Sequence, residues 1–225
     1  MVTFPGHQEG PWGAEGSWHI DGAHFQHFPE SREQGLLPIF LFSDIAPGHG
    51  GTALLPGSHL EAARALWRDA GADGLTAGEL TARLLPVQRP EEVREATGKA
   101  GDVMLCHPML LHSRSRNLAP VAASGVRIIS NPCVRLRREI NFGGGRALSP
   151  VAWTVWLARQ QLLAEGWLPA VGEQDGGGGA EMAPTAQPVP PSSTPETAES
   201  AERSGDADVE AVMGFGSFAG GGRCD

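Results

Sequence analysis

Along the first third of the chain the apolar positions fall in short runs bounded by glycine and proline, the pattern of strands joined by tight turns. Aromatic and β-branched residues at 17–28, broken by Gly22, predict a strand. Residues 35–45 form a strongly apolar run that stops at Ala46-Pro47-Gly48-His49-Gly50-Gly51, which predicts a buried strand. Residues 52–55 predict a further short strand, closed by Pro56-Gly57. The period then changes. Ser58 and Glu61 have the spacing of a capping box, and Leu60, Ala63, Leu66 and Trp67 follow at helical spacing. Thr76 and Glu79 repeat the device ahead of Leu80, Leu84 and Leu85. Pro90 at the start and Gly98 past the end predict a third short helix over 90–97. Strand character returns at 102–106 and 126–136, and Ser149-Pro150 opens a last helix running through Leu163. Residues 1–16 read as irregular, and all periodicity is lost after Leu168-Pro169.

That loss divides the chain into a folded domain over 1–170 and a Gly-, Pro- and Ser-rich tail over 171–225. The tail holds too little apolar surface to offset its ordering entropy, so it is expected to be disordered, with 209–218 its only plausible docking element. It carries −8 of the chain's −9 charges, leaving the folded part near neutral. A near-neutral body with no basic face argues against a nucleic-acid partner. Cys106, Cys133 and Cys224 form neither a CxxC pair nor an even framework, which excludes a disulfide scaffold or a zinc ribbon. No basic-then-apolar leader opens the chain, and no apolar run is long enough for a bilayer, so a cytoplasmic protein without a membrane partner is expected.

Chemistry enters at Trp18-His19-Ile20-Asp21-Gly22. On a strand, His19 and Asp21 share a face with Ile20 on the other, so an imidazole and a carboxylate can reach one metal ion. An H-x-D pair alone is a weak signal. A third ligand must come from a distant strand, and residues 101–112 offer both His107 and His112. Two histidines and one carboxylate make the facial triad of non-haem iron(II) enzymes, which leaves positions open for a co-substrate and dioxygen. An open iron site that uses 2-oxoglutarate needs a fixed cation for the far carboxylate, and an arginine suits it because its planar fork binds carboxylates in pairs of hydrogen bonds. Arg127 opens the strand that follows His112 and can lie antiparallel beside it.

His19-Ile20-Asp21, Gly50-Gly51-Thr52, Pro56-Gly57-Ser58-His59, Gly101-Asp102-Val103, His107-Pro108, His112, Asn117 and Arg127 stand in the order seen in the phytanoyl-CoA dioxygenase family, which residues 17–150 resemble. The resemblance implies a mainly β fold, the double-stranded β-helix or jelly-roll, with a few helices. It implies iron(II) held by His19, Asp21 and His112, with 2-oxoglutarate bound by Arg127 and dioxygen and a small organic molecule as the other reactants. Thr52 is a candidate hydrogen-bond donor to the co-substrate. The carboxylate at Asp21 favours hydroxylation, since a small residue there would open a position for halide. Members usually carry more chain before the H-x-D motif, so a shortened flank is expected here. They also often have a small or hydroxyl residue where this chain has Arg114.

The remaining candidates have plainer readings. His24, His27 and His49 are expected at the surface, and His59 beside a capping serine is structural. Arg114, Arg116, Arg135, Arg137 and Arg138 read as a solvated group, or as a recognition site for an anionic substrate. Residues 143–145 are a glycine loop, and Trp153 and Trp156 are core residues of the last helix. Two other functions stay open: an inactive or incomplete jelly-roll that keeps the metal motif, and a cupin-like isomerase or hydrolase.

Overall fold

The computed structural model describes residues 1–169 other than 6–9, 34, 86–89, 122–124 and 144–146. The tail at 171–225, its 209–218 segment, Cys224 and two of the three loop glycines lie outside the described residues. Two antiparallel sheets and three helices make up the regular structure, with no closed barrel among the described residues. The strands are β1 (Val2–Thr3), β2 (Leu37–Leu41), β3 (Ala53–Leu54), β4 (Arg94–Glu95), β5 (Val103–Cys106), β6 (His112–Ser113) and β7 (Arg127–Ser130). The first sheet has the order β1-β7-β2-β5 and the second β4-β3-β6. The helices are α1 (Ser58–Asp69), α2 (Ala77–Leu84) and α3 (Pro150–Ala164). None of the helices among the described residues is long and apolar enough to cross a membrane.

The apolar 35–45 run forms the buried strand β2 over Leu37–Leu41. Leu37, Ile39 and Leu41 point into a core shared with Ile129 of the same sheet and Leu54 of the other. A second core lies among the helices, where Leu66 of α1, Leu80 and Leu84 of α2, and Val155 and Ala158 of α3 meet. Ile20 and Leu111 reach into this helical core, and each is the chain neighbour of a candidate ligand. Burying two such side chains contributes roughly 1.5–3 kcal/mol apiece and fixes which way His19 and His112 face. Ile20 is also tied by its N–H to the Thr81 hydroxyl of α2 at 3.1 Å.

Several elements differ from the sequence pattern for identifiable reasons. Residues 17–28 form no continuous strand; His19 bridges His112 and His27 bridges Leu75, with a turn at Gly22 between them. Part of the opening expected to be irregular is paired, since β1 lies against β7 and Ala14 bridges Ser115. In place of a helix over 90–97 there is one 3₁₀ turn at Pro90–Glu92, then β4, which pairs with β3. The Glu95 carboxylate outweighs helix propensity there, because its two oxygens accept the Gly48 and Gly51 N–H groups at 2.6 and 2.8 Å. The strand expected over 126–136 is regular only as far as Ser130 and resumes as a single bridge, Leu36 to Val134. Ser149 caps α3 as read, and Trp153 stacks on Trp156 at 4.8 Å, both of them half-buried.

The two capping boxes part company. Thr76 and Glu79 make both reciprocal hydrogen bonds at the start of α2. Ser58 does not cap α1, whose N-cap is Gly57 with no side-chain bond. Its buried hydroxyl instead donates to the Leu55 carbonyl and accepts the Leu111 N–H, both at 2.8 Å. Ser58→Ala is therefore expected to cost about 1–3 kcal/mol, since it strands a buried N–H. Thr76→Ala should cost about 1 kcal/mol, the ordinary loss of a cap. Urea denaturation of the two variants checks the order, and a larger loss at Thr76 would reverse this reading of Ser58.

Candidate metal centre

His19 and His112 come from distant parts of the chain and meet through a two-way bridge. The His19 N–H donates to the His112 carbonyl at 2.9 Å, and the His112 N–H donates back at 3.1 Å. The two imidazoles stand 4.3 Å apart between ring centres. Asp21, one residue past the buried Ile20, brings its Oδ1 to 3.5 Å from His19 Nε2 and 3.7 Å from His112 Nε2. One donor atom from each of the three lies within 4.8 Å of the others, the arrangement of a site that could hold a metal ion.

The surroundings prepare each donor. His19 Nδ1 is 2.7 Å from the Ser17 carbonyl and His112 Nδ1 is 2.9 Å from the Leu110 carbonyl. A carbonyl only accepts, so both Nδ1 atoms carry a hydrogen, and in the neutral ring each Nε2 presents a lone pair. Asn131 Nδ2 donates to Asp21 Oδ2 at 3.3 Å, which leaves Oδ1 for the cluster. His112 Nε2 is buried and has no partner. Such an orphan is costly, on the order of 1–3 kcal/mol, unless something binds it. The donor set of two imidazoles and a carboxylate, without a thiolate, matches an open iron(II) triad rather than a closed structural zinc site. The residues present fit the metal.

Charge follows from this packing. The hydrogen bond to Asp21 raises the His19 pKa above its ordinary value even though burial opposes it. Burial alone would raise Asp21, but the hydrogen bond from His19 and the charges of both histidines hold it below the usual carboxylate range. Burial pushes His112 down, toward the neutral form a metal requires.

Arg127, at the first position of β7, is 1 % exposed. Its Nε donates to the Gly50 carbonyl, while its Nη1 is buried without a partner. Burial, and then the neighbouring Arg114 charge, lower its pKa, so an anion at Nη1 would relieve it. His19, His112, Thr52, Arg114 and Arg127 border one cavity, so the two residues that carry the orphaned Nη1 and Nε2 share it. The Gly50-Gly51 turn that receives the Arg127 Nε hydrogen bond is itself closely packed. Gly50 has φ +79° and a Cβ on it would come within 2.8 Å of Asn117, while one on Gly51 would come within 2.2 Å of the Ala96 carbonyl.

The other candidates lie elsewhere. His107 is outside the cluster; its Nδ1 accepts the Met109 N–H, its ring packs 4.8 Å from His59, and burial lowers its pKa to about 3. His27 was expected at the surface, yet it is fully buried, with Nε2 3.2 Å from the Gly22 carbonyl. His49 is half-buried rather than exposed, bridging Asn117. His24 is exposed, beside Asp21. Within the basic group, Arg114 pairs with Glu15 and Arg135 with Glu33. Sequence reasoning missed Asn131 and Glu95 as supports, and their spacing to the motifs carries no local signal.

An antiparallel two-sheet protein with an H-x-D pair facing a distant histidine is the class that the fold and cluster define. A family model for phytanoyl-CoA dioxygenase matches residues 8–121, half of the chain, and the chain belongs to that family. Its members are oxygenases, which sets this chain among the oxidoreductases. No curated protein and no solved structure matches it. The matched span includes His19, Asp21, Thr52 and His112, and Arg127 follows shortly after its end.

Gly22 is where the centre is most easily disturbed. It has φ +105°, and a Cβ there would lie 2.5 Å from Phe25 Cζ and 2.8 Å from His27 Cε1. Gly22→Ala is expected to destabilise the metal-free protein by about 1–3 kcal/mol, through strain at a position few side chains tolerate. Thermal denaturation checks it; an unchanged transition would mean that the turn beyond Asp21 is not rigid.

Proposed function

We propose that the chain is an iron(II)- and 2-oxoglutarate-dependent dioxygenase that hydroxylates a small organic substrate, with residues 1–170 as a catalytic domain of jelly-roll type. His19, Asp21 and His112 hold the iron, Arg127 binds the far carboxylate of 2-oxoglutarate, and Thr52 lies beside the co-substrate. One observation carries the reading: two buried polar atoms without partners, His112 Nε2 and Arg127 Nη1, belong to residues bordering one cavity. One suits a cation and the other an anion, and a metal chelated by a dicarboxylate satisfies both. Bound iron(II) supplies the redox chemistry that dioxygen needs. The overall balance consumes substrate, dioxygen and 2-oxoglutarate and yields hydroxylated substrate, succinate and carbon dioxide.

The protein's own groups have limited and definite parts in this. Nδ1 contacts to Ser17 and Leu110 orient the two imidazoles with Nε2 toward the cluster, and Asn131 orients the carboxylate. Arg127 is positioned by Gly50 and shielded from water, so its attraction for a carboxylate is not screened. A second reading, an inactive scaffold that keeps the motif, is favoured by the narrowness of this cavity, about 20 Å³. That is room for little more than one water molecule, so the co-substrate must displace Arg114 or its neighbours to enter.

Adding 2-oxoglutarate to the iron(II)-loaded protein without oxygen separates the two. A visible charge-transfer absorption that titrates to saturation is expected, and an inactive scaffold would bind iron and stay colourless. Arg127→Lys keeps the charge but loses the fork, so the midpoint should rise by about tenfold or more, equivalent to roughly 1.5–3 kcal/mol. An unmoved midpoint would take the carboxylate-binding role from Arg127.

Iron binding must also depend on pH in a particular direction. The His19 pKa lies above 6.5, so protons compete with iron there as pH falls through that raised value. Apparent iron(II) affinity should hold on the alkaline side and begin to fall above pH 6.5, by up to about tenfold per unit for one proton. Anaerobic calorimetric titrations across that range check it; a flat profile would remove His19 from the ligand set.

A further inference from the structure

A second cavity, of about 270 Å³, meets the cluster at Asp21 and Asn131 and is bordered by neither Arg127 nor the two cluster histidines. Its volume is at the small end for ligand pockets. Its walls are tied in place by contacts within the chain. On one side the Phe25 ring rests against Gly22, at a distance only a glycine permits. On the other, residues 35–37 run beside segment 131–134, joined by the Leu36–Val134 bridge and by a hydrogen bond from Gly35 N–H to the Val134 carbonyl at 2.9 Å. The Cys133 thiol donates to the Glu33 carbonyl at 3.4 Å and closes the rim.

The lining is chemically one-sided. Phe25, Leu36, Leu37 and Pro108 give it an apolar surface, and no lysine or arginine is among the bordering residues. Two carboxylates border it, Asp21 and Glu33. Asp21 turns one oxygen to the histidines and the other to Asn131. Glu33 is already engaged, since its Oε1 accepts from Arg135 at 2.7 Å and from Arg32 at 3.4 Å. An anionic group entering here would lose its water beside two carboxylates and meet no lysine or arginine, with the exposed His24 as the sole imidazole among the described residues on the walls. A cationic one would compete with guanidiniums already on Glu33. Both are unfavourable in a mostly apolar space.

We propose that this cavity takes the reacting part of the substrate, as an uncharged and mainly hydrocarbon group about the size of a fused two-ring system. The inference rests on the oxygenase reading, because that reading makes a cavity beside Asp21 the place where a C–H bond would be presented. It sets aside Arg135 as a receptor for an anionic substrate, since that guanidinium is held by Glu33.

Cys133 borders the cavity, is exposed, and reports occupancy without turnover or iron. Alkylation of Cys133 in the full-length chain by N-ethylmaleimide, resolved from the other cysteines by peptide mass spectrometry, is measured against three probes. Indole is uncharged, indole-3-acetate adds an anion to the same rings, and tryptamine adds a cation. Indole should slow alkylation saturably, and each charged analogue should need about tenfold more or greater. Leu36→Trp fills the cavity and should abolish protection; if it fails to fold, His24→Trp from an exposed position serves the same purpose. No saturable protection by indole would overturn the proposal, as would protection by either charged probe at equal or lower concentration. So would protection that persists in a folded filling variant. The charge-transfer titration on the unsubstituted protein is independent of this assay. Failure there with indole protection intact removes the oxygenase reading and with it the cavity's role as a substrate site, leaving a binding cavity alone, and the converse removes only the substrate assignment.

Discussion

Two backbone hydrogen bonds between His19 and His112 hold the centre together, and most of what is distinctive about the molecule follows from them. They set two imidazoles side by side from parts of the chain that have no local reason to meet. The bridge is an isolated pair rather than part of a long ladder, so its stability comes from outside it. Ile20 and Leu111, adjacent to the two histidines, are sunk in the helical core, and Ser58 and Thr81 take the N–H groups of the same two residues. The helices support the candidate metal centre by clamping the residues next to its two histidines. A ligand set supported this way is positioned by the core rather than by a flexible loop.

The second constraint is electrostatic. A folded protein tolerates few buried polar atoms without partners, yet His112 Nε2 and Arg127 Nη1 are both of this kind and their residues border the same cavity. Each is exposed to a desolvation cost that only a bound group can remove. Burial lowers both pKa values, and it does so for groups that prefer opposite charges in a ligand. The site is in this sense unfinished without a cation at one end and an anion at the other. Arg114 adds a second positive charge near Arg127, which deepens the preference for an anion at that end.

The cavity beyond Asp21 has the opposite character. Its walls are apolar and its one other carboxylate is held by guanidiniums outside the lining. Asn131 borders both cavities and donates to Asp21, so a single side chain joins the polar compartment to the apolar one. A polar cavity and an apolar one that meet at Asn131 beside the His19, Asp21 and His112 cluster would suit the proposed oxidation of a C–H bond, with a charged co-substrate in one and a hydrocarbon-like surface in the other.

The sequence by itself determined the local devices. The continuous apolar run with its turn flanks marked 35–45 as a buried strand, the H-x-D spacing put His19 and Asp21 on one side with Ile20 on the other, and Thr76 with Glu79 announced the start of α2. Each of these depends on residues a few positions apart, where the geometry of the chain leaves little choice. His112 and Arg127 were legible as residue types in a motif order, but not as a buried pair facing one cavity. Tertiary structure decided the rest. Ser58 has the spacing of a cap and became a buried clamp, because Leu55 and Leu111 arrive with backbone groups that must be paired. Residues 94–95 joined a sheet rather than a helix because Glu95 meets the Gly48 and Gly51 N–H groups across the fold. His27 went inside to hold the Gly22 carbonyl. Burial and hydrogen-bond completion are settled by what comes from far along the chain, and that is information no local pattern contains.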